Sequence, residues 1–312
     1  MGERTESCGG PGASGAAEAG GRYAYELVLG LPHTNHRGFA EHLALAHLGH
    51  LYWTSIARAI GRPLSALRSP AGDEVYATFY FVEETFPESA LLDSFKLDDR
   101  LAISVALRAF KGMAVEGEVT FHDARGPRGA RPDAVPRARF ASIFITPVAG
   151  NSALRVAAPA NADFSAIPLL PPDENPHHIT RRAEEIGSLG LLGAEWEPMP
   201  GDPLEESLAI DPDRDSNGAG LVYFANYVAF MNRTERAMMR AAGFPEVDIL
   251  SRAVRARRIG YYGNAGLDGR LRTRVVAFRT PGRAREVGFR YAIRREEDDT
   301  LICLSEAVKV LR

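Results

Sequence analysis

The chain has 312 residues, of which 45% are hydrophobic and 25% charged, and its formal net charge is -3. That length suits two domains of ordinary size, each able to bury its own core, and the composition is typical of globular proteins. The mild negative charge argues against a dedicated nucleic-acid binder, and no apolar run approaches the roughly 18 residues that a membrane-spanning helix needs.

Residues 1–21 are rich in Gly, Ala, Ser and Glu and are expected to form a disordered tail. They have neither the apolar core of a signal peptide nor the Arg-rich character of a transit peptide, so a cytoplasmic location is the default. Cys8 lies in that tail and Cys303 in a predicted strand, which makes a structural disulfide between them improbable.

A first domain is expected over 22–150. An Asn35-x-x-Gly38 turn opens an apolar helix over Gly38–Ile60, stopped by Gly61 and Pro63. Strands are predicted over Val75–Glu83, Leu101–Phe110, Val115–Asp123 and Arg139–Pro147. In the first of them Val75, Ala77, Phe79 and Phe81 alternate with Tyr76, Thr78 and Tyr80, which predicts one apolar and one more polar face. Arg125–Arg137 is rich in Pro, Arg and Gly and reads as a loop. Residues 151–204 carry many prolines and glycines and one short helical stretch, Ile179–Leu189, so a linker packed along the surface is expected.

The remaining domain, 205–312, repeats the first. Asn217-x-x-Gly220 opens a predicted helix over Gly220–Ala242, with strands over Val254–Tyr262, Arg270–Arg279, Arg285–Arg295 and Leu301–Val310. Asn35/Asn217, Gly38/Gly220, Arg58/Arg240, Gly61/Gly243 and Pro63/Pro245 share one offset of 182 positions. Asp98-Asp99-Arg100-Leu101 and Asp268-Gly269-Arg270-Leu271 share another, of 170. One long buried helix followed by about four antiparallel strands, built twice, describes an α+β protein in which a sheet curls around each helix: a tandem double hotdog.

In such a fold the strands cover the body of the helix and leave its N-terminus reachable. The unpaired N–H groups and the dipole there suit a thioester oxyanion or enolate, and Gly38 and Gly220 would let a carbonyl approach the backbone. Asn-x-x-Gly also fits a plain helix lead-in with an Asn cap. His33 and His36 flank Asn35, and His36 is placed to polarise a carbonyl. Glu41 is either an acid/base or a favourable charge near the dipole. His47 and His50 have metal-like spacing with no Cys, Asp or Glu to complete a set, so no metal is expected. The basic run Arg252, Arg255, Arg257 and Arg258 alternates along a predicted strand; it suits CoA phosphates or an acidic carrier protein, or serves as solvated edge charge.

The stretch Asp211–Tyr227 resembles the helix lead-in of 4-hydroxybenzoyl-CoA-thioesterase-type hotdogs, with Asn217 (and Asn35 in the first half) where those enzymes carry a catalytic Asp. An amide cannot serve as a general base. Leu31–His42, Gly49-His50-Leu51-Tyr52-Trp53 and Val75–Tyr80 resemble the LnmK-type family of bifunctional acyltransferase/decarboxylases, which are double hotdogs. The resemblance implies decarboxylation of a methylmalonyl thioester and transfer of the propionyl group to an acyl carrier protein in polyketide biosynthesis. It implies an active-site tyrosine. Tyr76, on a strand face, ranks before Tyr52, which lies nearly four turns into the helix.

On this reading Asn35 or Asn217 orients the carboxylate, the acyl-CoA is substrate, and no cofactor, membrane or nucleic acid is needed. A homodimer is compatible with it. A hotdog thioesterase or dehydratase using Glu41 with His33 or His36, and a non-catalytic acyl-thioester-binding module, remain open beside it.

Overall fold

The computed structural model describes residues 17–18, 20–110, 112–125, 135–148, 153–218 and 220–312. The expected tail and the Arg125–Arg137 loop therefore lie mostly outside the described residues, Cys8 included. Within the tail, Ala17–Glu18 pairs as a strand with the segment that follows.

The first half contains β1 (Ala17–Glu18), β2 (Arg22–Val28), α1 (Glu41–Ala59), β3 (Tyr76–Thr85), β4 (Arg100–Phe110), β5 (Ala114–Asp123) and β6 (Arg137–Val148). The connecting segment holds β7 (Ala153–Val156), α2 (His177–Ile186) and β8 (Glu197–Pro198). The second half has β9 (Leu204–Ala209), α3 (Pro212–Asp215), α4 (Asn226–Ala241) and α5 (Glu246–Ser251), then β10 (Ala253–Tyr261), β11 (Arg270–Arg279), β12 (Glu286–Arg295) and β13 (Leu301–Val310). Among the described residues, no helix is long and apolar enough to cross a membrane.

The sheet order makes the duplication explicit. The first half runs β2-β4-β5-β6-β3 and the second β9-β11-β12-β13-β10, the same path twice, and β3 pairs antiparallel with β10 to join the halves in one sheet. Each half wraps its long helix. Ala44, Leu45, Leu48, Leu51 and Ile56 bury the core face of α1, and Tyr227, Val228, Met231, Met238 and Met239 do the same for α4. The molecule is a tandem double hotdog.

The eight predicted strands are present within two residues of their expected ends. The helices start later than expected, at Glu41 and Asn226, because the chain after each Asn-x-x-Gly turn first doubles back. Isolated bridges Thr34–Phe39 and Ser216–Val222 close those turns, and the Phe39 N–H donates to the Phe95 carbonyl at 3.0 Å. Gly61 and Gly243 end the helices with φ of +63° and +74°, the left-handed caps that their spacing predicts. A bulge at Tyr80 breaks the alternation expected along β3: Phe79 packs in the main core, whereas Tyr80 and Phe81 both face outward, against Ala183 and Leu189. β2 and β9, the fifth strand of each half, go beyond the four that the sequence predicts.

The connecting segment is fastened across the outer face of the sheet. α2 lies over the β3–β10 seam, where the Tyr262 hydroxyl donates to the Thr180 carbonyl at 3.0 Å and the Tyr80 hydroxyl to Asn175 Oδ1 at 2.8 Å. Farther along, Leu192 and Trp196 cover Phe278 and Val308, and buried Glu306 accepts the Leu191 N–H at 2.8 Å.

Candidate functional site

β3 and β10 pair only over Phe81–Thr85 and Ala256–Gly260. Beyond each end of that seam the strands part and leave a fork, and the duplication makes the two forks equivalent. They have opposite chemistry.

The first fork is a cleft of about 610 Å³ beside the lead-in of α4. The N-terminal stretch of β3 (Tyr76–Tyr80) forms one wall, and Tyr261–Asn264 with Asn217-Gly218 forms the other. Aromatic rings close its floor: Trp53 stacks on Phe79 at 4.5 Å and 14°, and Phe224 meets Phe79 edge-on at 4.5 Å. Phe224 comes so close to α1 that a Cβ on Gly49 would lie 2.5 Å from its Cζ. Among the described residues lining this cleft there is no Asp, Glu, His, Lys, Arg or Cys. Its polar groups are neutral. Tyr227 donates its hydroxyl to Asn264 Oδ1 at 3.1 Å, and Tyr261 donates to the Phe224 carbonyl at 3.0 Å. Burial raises the pKa of both phenols far above the ordinary value, so both stay protonated.

The second fork, about 280 Å³, lies beside the lead-in of α1 and is charged. Glu41 Oε1 pairs with Arg257 Nη2 at 2.6 Å, and its Oε2 with Lys309 Nζ at 3.2 Å and Asn232 Nδ2 at 3.0 Å. Lys309 also reaches Glu235 at 3.1 Å, and Glu235 accepts from Arg252 and from the Tyr291 hydroxyl. Arg37 pairs with Asp93 at 2.5 Å. Burial alone would raise the Glu41 pKa, but Arg257 and Lys309 outweigh it and hold the carboxylate ionised far below its usual range.

The residues singled out from sequence fall on both sides of this division. Asn217 lines the cleft, and its Oδ1 accepts the Leu221 N–H at 3.1 Å. Gly220 sits in the same turn with φ of +69°. Asn35, His36 and Glu41 line the charged fork. Asn35 Oδ1 accepts the Arg37 N–H at 2.9 Å, so it ties its own turn. Gly38 has φ of +152°, and its missing Cβ leaves room for the Phe95 carbonyl, which would lie 2.5 Å from that atom. His33 accepts the Gly30 N–H at Nδ1 and stands edge-on to His47, which burial lowers to about 4.

Tyr52 is fully buried, donating to the Val115 carbonyl at 2.6 Å beside Ser142 Oγ at 2.7 Å, and there it fastens α1 to β5 and β6. Tyr76 lines the cleft, with its hydroxyl donated to Glu74 Oε2 at 2.5 Å; that hydrogen bond raises its pKa. The basic run does not share one solvent face. Arg257 is buried on Glu41, Arg255 pairs with Glu286 and Arg258 with Glu83. Thus Tyr76 and Asn217 come together, whereas Asn35, His36, Glu41 and Arg257 gather at the other end of the seam.

Sequence reasoning missed Trp53, Phe224, Tyr227 and Asn264. Trp53 lies within the stretch Gly49–Trp53, Phe224 and Tyr227 lie within Asp211–Tyr227, and Asn264 lies in the run Tyr261-Tyr262-Gly263-Asn264 at the end of β10 and just beyond it, but none was singled out.

No protein-family profile matches the chain, and no curated protein matches its sequence. Solved structures do match its shape. An acyl-ACP thioesterase from Bacteroides thetaiotaomicron is 12% identical with a TM-score of 0.59, over 93% of this chain and 98% of that one. A 12:0-ACP thioesterase from Umbellularia californica is 10% identical with a TM-score of 0.59, over 94% and 95%. At such identity the likeness shows the shared double-hotdog fold.

Proposed function

We propose that the chain is an enzyme acting on acyl thioesters, that the thioester lodges in the uncharged cleft beside Asn217, and that it is cleaved hydrolytically. The observation that carries this is the asymmetry of the forks: one is a wide, largely apolar cavity at a helix lead-in, the other is smaller and lined by ion-paired side chains. The likeness to the two thioesterases over nearly the whole chain supports hydrolysis as the reaction.

The first turn of α4 and the neutral dipoles of Tyr227, Asn264 and Asn217 border the cleft, so charge growing on a thioester oxygen would meet donors and dipoles already in place. Among the described residues no carboxylate or histidine lines the cleft, so water attacks largely as hydroxide and the rate follows its concentration. CoA or an acyl carrier protein would supply the thiol.

The same lack of charged groups favours a second reading, decarboxylation of a malonyl-type thioester with transfer of the acyl group to a carrier protein. Loss of carbon dioxide needs a poorly solvating pocket and no base. Tyr76 is then the cleft-lining hydroxyl nearest to the expected role.

One experiment separates these. The protein is incubated with acetyl-, propionyl- and methylmalonyl-CoA and an acyl carrier protein, while free thiol is followed and the carrier is weighed intact. Free thiol with an unmodified carrier supports hydrolysis. A propionyl adduct formed from methylmalonyl-CoA, and lost in Tyr76→Phe, replaces it with the second reading. Binding without turnover of any ester overturns both in favour of an acyl-thioester-binding module.

A further inference from the structure

We propose that the charged fork is a second binding site, in which Arg236 holds a small multiply charged anion, a phosphate or phosphate ester. Its cations outnumber the carboxylates facing them. Arg37, Arg236, Arg252, Arg257, Lys309 and Arg312 converge there on Glu41, Asp93 and Glu235. Glu84, a further carboxyl near this network, is kept from ionising by its burial and by Glu41, which push its pKa up to about 8, and Glu246, near Arg252, is paired with Arg240. The chain as a whole is slightly acidic, so this local excess does not follow from composition.

Five of the six cations are occupied. Arg37 and Arg312 share Asp93, Arg252 is held by Glu235, Arg257 by Glu41, and Lys309 by Glu41 and Glu235. Two arginines on one carboxylate leave Asp93 little charge with which to repel an anion. Arg236 is different. It lines the cavity half-buried, and among the described residues none bonds to its guanidinium or forms an ion pair with it. Burial, and then Arg252, Arg240 and Arg233, disfavour its charge, with only Glu235 opposing them. A half-buried cation among like charges is destabilising until a counterion arrives, and five fixed N–H donors suit phosphate oxygens.

Asn232, one helical turn before Arg236 on α4, and the half-buried His42 complete the polar lining. Exposed Arg233 carries positive charge out onto the helix surface, along which a larger ester would extend. The volume of about 280 Å³ limits the buried part to a small group.

The test is calorimetric titration and thermal unfolding of the full chain with inorganic phosphate, pantetheine 4′-phosphate and unphosphorylated pantetheine, with sodium chloride as the control at matched ionic strength. Phosphate and the phosphate ester are expected to bind and raise the melting temperature with concentration; pantetheine and chloride are not. Arg236→Gln should lose at least about tenfold in phosphate affinity, with an unliganded melting temperature no lower than wild type, and Arg236→Lys should keep part of the affinity. If phosphate binds and its ester does not, the source is free phosphate; the reverse makes it the arm of a cofactor or carrier. Equal phosphate affinity in wild type and Arg236→Gln, or an equal effect of chloride, overturns the proposal.

Discussion

Trp53 and Glu235 are the same position of the duplicated fold, 182 residues apart, one lining the apolar cleft and the other paired with Arg252 and Lys309 of the charged fork. Trp53 lies on the aromatic floor of an open cleft, stacked on Phe79. Glu235 is wholly buried and binds Arg252, Lys309 and Tyr291. At this pair of equivalent positions one copy helps floor an aromatic cleft and the other anchors a buried ion-pair network.

Breaking the ion pairs behind the second fork costs stability before it costs activity. Glu235→Gln leaves Arg252 without its buried counter-charge and Lys309 with Glu41 alone, and is expected to destabilise the chain by about 3–5 kcal/mol, measured by urea unfolding at pH 7. Arg252 and Lys309 hold the Glu235 pKa below its usual 4.5 against the opposing effect of burial. Its contribution is therefore present above pH 4.5 and fades below it, so the gap between variant and wild type narrows in acid. A gap that does not change with pH would show that the loss comes from packing.

Glu84 acts in the opposite direction. It is fully buried opposite Arg257 across the seam, and neither of its oxygens has a hydrogen-bond partner among the described residues. Its pKa rises from 4.5 to about 8. The folded state thus holds a proton that the unfolded chain releases, and stability falls as pH rises between those values. Glu84→Gln should become more stable relative to wild type across that window, by on the order of 3 kcal/mol at pH 8. Denaturant melts at pH 5 and pH 8 decide it; an equal difference at both places the titration elsewhere.

On the proposed function, the floor of the cleft would set how deep an acyl chain goes. Phe224 is seated against Gly49 and shuts the space between α1 and α4. Phe224→Ala should shift the preference among acyl-CoA esters toward longer chains while costing about 3–5 kcal/mol of stability. Gly49→Ala should drive the ring into the cleft and shorten the preferred chain. KM measured along a ladder of chain lengths gives both answers, and parallel profiles for all three proteins would place the floor elsewhere.

A cleft with no carboxylate or histidine among its described lining residues has a kinetic consequence. Log kcat/KM for hydrolysis should climb with a slope near one from about pH 6 to pH 9, without the plateau that a histidine or carboxylate base produces. A bell-shaped profile would mean that a titrating group reaches the cleft from outside its present lining.

The architecture was legible in the sequence because it rests on punctuation. The paired Asn-x-x-Gly turns and the glycines after each helix fix backbone direction whatever surrounds them, and the strands followed from alternation. Where three-dimensional pairing intervened, the reading failed. The bulge at Tyr80 moved Phe81 to the outer face, and the loop before each helix folded back and delayed the helix start. The candidate site was legible by half. Asn217 and Tyr76 are close in space because each ends at one fork, but a sequence does not reveal that Glu41 will meet Arg257 and Lys309, more than 200 residues away. The aromatic floor left no trace, since Trp53, Phe79 and Phe224 read as ordinary core.

The segment from Ala153 to Pro203, fastened across both halves, has a consequence for symmetry. Two identical hotdogs associating about a twofold axis would present every side chain at both ends of the seam, so a tryptophan at one fork would oblige a tryptophan at the other. A covalent strap removes that obligation. It keeps the pair together at any dilution and lets each copy of the helix carry its own residues, so charge gathers at one end of the molecule and aromatic surface at the other.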